Sequence, residues 1–218
     1  MDYIKRFTTR EGVRMSLAVT TDTVETARVR HDLWPVATAA LGRAMTGAIL
    51  LAGDFKNQEN VSLRIKGDGP LGVVHVDAFA DNTVRGYVDE PHVDVPLKRA
   101  GKLDVGAAVG HNGEVQVTRF TQLAQDYTST SPIQSGEVAE DLAYYLYASE
   151  QAPSSTISSC CLRYSISSAT DAILRLCSLA NCNRSGKRAI SPSSFVISQI
   201  TAASCKPAKR QRSIDASV

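Results

Sequence analysis

Val61-Ser-Leu-Arg-Ile-Lys-Gly-Asp-Gly-Pro-Leu-Gly-Val-Val-His-Val-Asp-Ala-Phe79 decides the fold class. Val61, Leu63 and Ile65 alternate with Ser62, Arg64 and Lys66, the period of a strand with one face in a core and the other in water. Gly67-Asp68-Gly69-Pro70 supplies turn residues and the chain returns apolar, so residues 61–79 read as an antiparallel hairpin. The same period spreads outward. Val13, Met15, Leu17 and Val19 alternate with Arg14, Ser16 and Ala18. Asp81-Asn82 turns into a strand over 83–88, and His111-Asn112-Gly113 precedes another over 115–120, where Asn-Gly is a strong hairpin signal.

Helices flank these strands. Residues 21–31 carry Asp22 and Glu25 near their start, which suits the positive end of a helix dipole. Pro35 fits the first turn of the next helix, in which Val36, Ala40, Leu41, Ala44, Met45, Ala48, Leu51 and Ala52 recur at spacings of three and four. Gly42 and Gly47 weaken that helix, so close packing against a neighbour is expected there. A last helix is predicted over 135–150, apolar along Val138, Leu142, Tyr145 and Leu146, with Glu137, Glu140 and Asp141 crowding its first turn. The class is α/β in the α+β sense, an antiparallel sheet packed with helices.

With 218 residues, 43 % of them apolar, the chain can bury a real core. No run of about 18 uncharged apolar residues occurs, since 35–53 is interrupted by Arg43. Residues 1–11 are charged and lack an apolar core segment of a secretory leader. A cytoplasmic protein is the expectation, with no membrane partner.

The net charge of +2 conceals a break near residue 150. Residues 1–150 hold 15 Lys+Arg and 20 Asp+Glu, whereas residues 151–218 hold 9 and 2. Serine supplies 6 of the first 150 residues and 16 of the last 68, glycine 13 and then 1. Cys160, Cys161, Cys177, Cys182 and Cys205 all follow the break, and no glutamate follows Glu150. Two regions are therefore expected: 1–154, and an irregular Ser/Cys-rich basic tail over 155–218. Within the tail, 169–182 has the spacing of a short amphipathic helix and 195–200 that of a short strand, but the composition is close to that of disorder.

Chemistry-bearing motifs are sparse. Gly67-Asp68-Gly69 leads into a strand, whereas a phosphate cradle leads into a helix N-terminus. His75 and Asp77 share a strand face, half a metal site at most, and an exposed polar face is the plainer reading. His31, His92 and His111 sit in turn-like surroundings. No Gly-x-Ser-x-Gly or His-Glu-x-x-His occurs, so no catalytic residue and no enzyme is expected. Structural zinc needs closely spaced cysteine pairs, and the tail offers only an adjacent pair and a pair five apart. Reduced, unpaired thiols without zinc are expected. Lys206-Pro-Ala-Lys-Arg-Gln-Arg212 would be the contact of a nucleic-acid-binding module, the competing function, but no aromatic residue accompanies it.

Six segments in order carry a further signal. Arg28-Val-Arg-His-Asp-Leu-Trp-Pro35, Ala39-Ala-Leu-Gly-Arg-Ala-Met-Thr46, Lys66-Gly-Asp-Gly-Pro-Leu-Gly72, Val84-Arg-Gly-Tyr-Val88, Gly101-Lys-Leu-Asp-Val105 and Ser135-Gly-Glu-Val-Ala-Glu-Asp-Leu-Ala-Tyr-Tyr-Leu146, followed by Ser149-Glu-Gln-Ala-Pro-Ser154, closely resemble the heat shock protein 33 family. The resemblance implies a cytoplasmic, ATP-independent holdase chaperone that dimerises when active and binds unfolding proteins during oxidative heat stress. It implies no client-binding residue here. After about Ser155 the family continues with Gly- and Val-rich strands, a helical linker and a domain whose Cys-x-Cys and Cys-x-x-Cys hold zinc when reduced and form disulfides when oxidised. Neither spacing occurs in this chain, so no zinc ligand or redox residue carries over. A truncated or frameshifted member is the expectation, with its redox switch lost, the strands that complete the first domain missing, and a sheet edge uncovered.

Overall fold

A computed structural model of the chain describes residues 2–8, 13–54, 59–98, 102–121, 126–151, 154–159 and 196–202. In chain order the elements are β1 (Tyr3–Thr8), β2 (Val13–Val19), α1 (Thr21–His31), α2 (Pro35–Asp54), β3 (Asn60–Lys66), β4 (Val73–Ala78), β5 (Val84–Val88), α3 (Val105–Val109), β6 (Glu114–Phe120), β7 (Tyr127–Pro132), α4 (Val138–Ala148), β8 (Ser154–Ser159) and β9 (Val196–Ala202). The strands form two antiparallel sheets, one of five in the order β5-β4-β3-β6-β7 and one of four in the order β1-β2-β9-β8. This is the α+β architecture expected from the alternating runs.

Helix α2 lies between the sheets. It touches β3, β4 and β5 on one side and β2 and β9 on the other, with α1, α3 and α4 around it. Every residue from 36 to 52 is buried. Its length and composition are those of a membrane span, and 94 % of that stretch is buried inside the protein, the condition of a central core helix. Val61, Leu63, Ile65, Val74, Val76, Val115 and Val117, the inward half of the alternating strands, are at most 1 % exposed. Each such side chain contributes about 1.5–3 kcal/mol by leaving water. A Cβ at Gly47 would collide with Leu142 of α4, which accounts for a glycine inside the helix. Arg43, which breaks the apolar run in sequence, pairs with Glu137 at 2.7 Å, and Lys98 approaches the same carboxylate at 3.5 Å.

Several local readings change. The turn at 111–113 follows helix α3 rather than a strand, so it joins helix to strand and is no hairpin. Asp68 accepts the backbone N–H groups of His111 (2.9 Å) and Asn112 (3.1 Å), and its second oxygen takes the Asn112 amide at 2.7 Å. The Asn112 side chain and these backbone donors hold the Asp68 carboxyl below the usual range. The Gly-Asp-Gly turn thus clamps the loop after α3, where Gly110 has φ +96° and a Cβ would strike Asp68. Strand β1 and the hydroxyl-rich β7 carry no alternating signal. The expected strand at 195–200 is β9, over Val196–Ala202, and β8 begins at Ser154. Both pair into the sheet of β1 and β2, so β9 covers the edge of β2 that the sequence reading left open. The predicted helix at 169–182 lies outside the described residues.

Candidate binding surface

The two faces of the four-stranded sheet differ sharply. On the inner face Ala18 is fully buried against Leu50 of α2, Ser16 is buried beside it, and the Thr20 and Thr46 hydroxyls meet at 2.7 Å. Side chains alternate along a strand, so Leu17 and Val19 lie on the opposite face from Ser16 and Ala18, and the register gives the positions in line with them. One row runs Tyr3, Val19, Val196, Ser159, the next Lys5, Leu17, Ser198, Ile157, and the third Phe7, Met15, Ile200, Ser155. Eight of these twelve positions are apolar. Leu17 and Val19 are half-buried and belong to no core cluster, and Tyr3 is 47 % exposed. Among the described residues, α2 and α4 are the helices that pack on this sheet. An apolar sheet face of this kind is a surface for other apolar groups.

The outer face of the five-stranded sheet is polar by comparison. Its rows are Arg85, Asp77, Ser62, Thr118, Thr128 and Tyr87, His75, Arg64, Gln116, Thr130. His75 and Asp77 do meet there, at 3.1 Å, but the second Asp77 oxygen takes Arg85 at 3.2 Å and the imidazole lies against Tyr87 at 5.5 Å. Burial pushes the Asp77 carboxyl up, and hydrogen bonds from Ser62 and Arg85 outweigh it, leaving the group below its usual range. Among the described residues no three His, Cys, Asp or Glu side chains converge as a metal site. His92 contacts Asp32 at 3.0 Å beside Trp34, and His31 is exposed at the end of α1. All five cysteines and the basic run 206–212 lie outside the described residues.

A polar network at the end of α4, which sequence reading missed, fixes the chain before β8. The Tyr145 hydroxyl donates to Glu150 at 2.8 Å and sits 2.8 Å from the Ser129 hydroxyl. Arg119 reaches Glu150 at 3.5 Å and Glu59 at 2.8 Å. Burial raises the Tyr145 phenol well above its ordinary value, so it remains a donor. Beside it, Asp141 is fully buried and accepts the backbone N–H groups of Gln134 and Ser135 at 2.9 and 3.1 Å. Desolvation raises its carboxyl above the usual range in spite of those bonds.

The family model for Hsp33 protein matches residues 2–175. The chain belongs to the Hsp33 family. It is 56 % identical over 155 residues to a 33 kDa chaperonin of Symbiobacterium thermophilum, covering 70 % of this chain and 52 % of that one. To a 33 kDa chaperonin of Thermus thermophilus it is 52 % identical over 160 residues, or 72 % and 47 %. The chain thus spans about half the length of the curated relatives it matches. The crystal structure of the 33 kDa chaperonin (heat shock protein 33 homolog) from Thermotoga maritima superposes with a TM-score of 0.71 at 34 % identity, covering 90 % of this chain and 60 % of that one.

Proposed function

We propose that this chain is an ATP-independent holdase that binds unfolding proteins on the outer face of its four-stranded sheet. Membership of the Hsp33 family supports a chaperone and not an enzyme, and Leu17 and Val19, half-buried on the side of the sheet opposite Ser16 and Ala18 and outside the described core clusters, carry the reading. Covering exposed core residues of a client stabilises the complex by about 25 cal/mol per Å², so holding needs apolar area and no catalytic group. The chain acts in the cytoplasm, and β1 and β8, the outer strands of the sheet among the described residues, are where a homodimer would pair. The cysteine spacings supply no zinc cage, so the chain works without zinc and its holding is independent of oxidation. No observation favours nucleic acid as the partner.

The experiment is suppression of light scattering from a heat-denaturing client, with the protein reduced and then peroxide-treated. Equal suppression in both states is expected. No suppression in either state would refute the holding reading, and a large peroxide-induced gain reversed by reductant would refute the loss of the switch.

A further inference from the structure

Strand β5 ends the five-stranded sheet, and the direction of its backbone groups follows from two hydrogen bonds. Phe79 N–H donates to Thr83 C=O at 2.9 Å, and Asp89 N–H donates to Val73 C=O at 3.1 Å. Bonded and non-bonded pairs alternate in an antiparallel ladder. With the register Arg85 opposite Asp77 and Tyr87 opposite His75, residues 83, 85, 87 and 89 bond inward to β4. Val84 and Gly86 therefore aim N–H and C=O away from the sheet, where no described residue meets them.

A cleft of about 600 Å³ lies along this edge, walled by α1 and reaching from the outer sheet face at Arg85 to Met45 beneath. Arg30 and His31 line it and have no hydrogen-bond or ion-pair partner among the described residues. Arg85, also on the cleft, is exposed on its outer side. The acidic residue lining it is Asp77, already held by His75 and Arg85. Free donors and acceptors at strand spacing match an extended polypeptide, and the Arg30 guanidinium, the His31 ring donor and the exposed side of Arg85 beside them match carboxylates.

We propose that the β5–α1 cleft binds an extended acidic segment of another polypeptide by adding it to the sheet edge at Val84 and Gly86, with its carboxylates on Arg30, His31 and Arg85. This rests on the holding reading only for the source of the segment, an unfolding client. The cleft is distinct from the apolar face, so the two can fail separately.

The test measures fluorescence anisotropy of the full chain with a labelled eight-residue peptide of alternating Val and Glu. Three comparisons accompany it: a Val/Lys peptide, the Val/Glu peptide N-methylated at alternate residues, and the variants Arg30→Glu and Val84→Pro. The proline removes the outward N–H and leaves the bonds to β4, while altering the packing of the Val84 side chain on the core. Saturable binding of the Val/Glu peptide is expected, at least tenfold weaker for both altered peptides and for both variants. The peptide comparisons decide the matter without touching the protein, should a variant fail to fold. Absence of binding, or affinities alike for the three peptides, would overturn the proposal. Light scattering by the unaltered chain reports the holding reading independently.

Discussion

The two sheets share the helix α2 and are otherwise opposites. The five-stranded sheet is built from strands between residues 60 and 132, with apolar side chains turned inward and charged or hydroxyl groups outward. The four-stranded sheet joins residues 3–19 to 154–159 and 196–202, and its outward rows are largely apolar. One sheet is a finished scaffold that burial stabilises. The other sets the half-buried Leu17 and Val19 and the exposed Tyr3 on its outer side, which fits a surface proposed to cover other chains.

Leucines at the two sheets separate stability from holding. Leu63→Ala in β3 empties a fully buried site and is expected to lower the unfolding free energy by about 2–5 kcal/mol. Leu17→Ser in β2, half-buried on the outer face, is expected to cost about 1 kcal/mol or less. Urea unfolding followed by far-UV circular dichroism compares them. Similar losses would erase the distinction between scaffold and surface.

Tyr145→Phe probes the junction through which the chain leaves the five-stranded sheet for β8. It removes the contacts to Ser129 and Glu150 and leaves the half-buried Ser129 hydroxyl and Glu150 carboxylate less well paired. A loss of about 1–3 kcal/mol is expected by the same measurement, and an unchanged midpoint would show that the network fixes nothing.

Much of this contrast could be read from the sequence, but unevenly. Strands β2 to β6 and helices α1 and α4 announce themselves through alternation or a one-sided apolar pattern, and α2 through its apolar residues at spacings of three and four, although the packed helix is buried all round from 36 to 52. Strand β7, Tyr127-Thr-Ser-Thr-Ser-Pro132, does not, since its inward Ser129 and Ser131 lie beneath α4 without being apolar. Helix α3 has five residues, too few to show a period. The apolar face was legible only in part: the alternation of β2 shows Leu17 and Val19 but reads them as the core side, whereas Ser16 and Ala18 are the buried ones, and the rows unite residues up to about 190 positions apart, which no local pattern encodes. The clamp role of Asp68 was hidden similarly, because its partners His111 and Asn112 lie 43 and 44 residues away.

The smallest expected effects are in pH dependence, and they have opposite signs. The folded Asp141 carboxyl is raised above its ordinary value of 3.8, so the folded state binds its proton to higher pH than the unfolded chain. Its contribution to stability falls as pH rises from 3.8 through that raised value. Asp68 is lowered, so its contribution is present above 3.8 and is lost as pH falls through its lower folded value. Asp141→Asn keeps an acceptor oxygen for Gln134 and Ser135, and it should remove the decline on the rising side. Asp68→Asn should flatten the acid side. Denaturation midpoints across about pH 2.5 to 7, a window set by these directions, check both. A steeper decline in Asp141→Asn would contradict the assigned desolvation.

The most direct measurement is aggregation suppression by the Leu17→Ser, Val19→Ser double variant, run beside unaltered protein and an Arg64→Ser, Thr118→Ser control on the polar sheet. The unaltered chain and the control should suppress light scattering from the denaturing client equally, while the double variant, still folded by circular dichroism, should lose most of that activity. Full suppression by the double variant would contradict the assignment of client holding to the outer face of the four-stranded sheet.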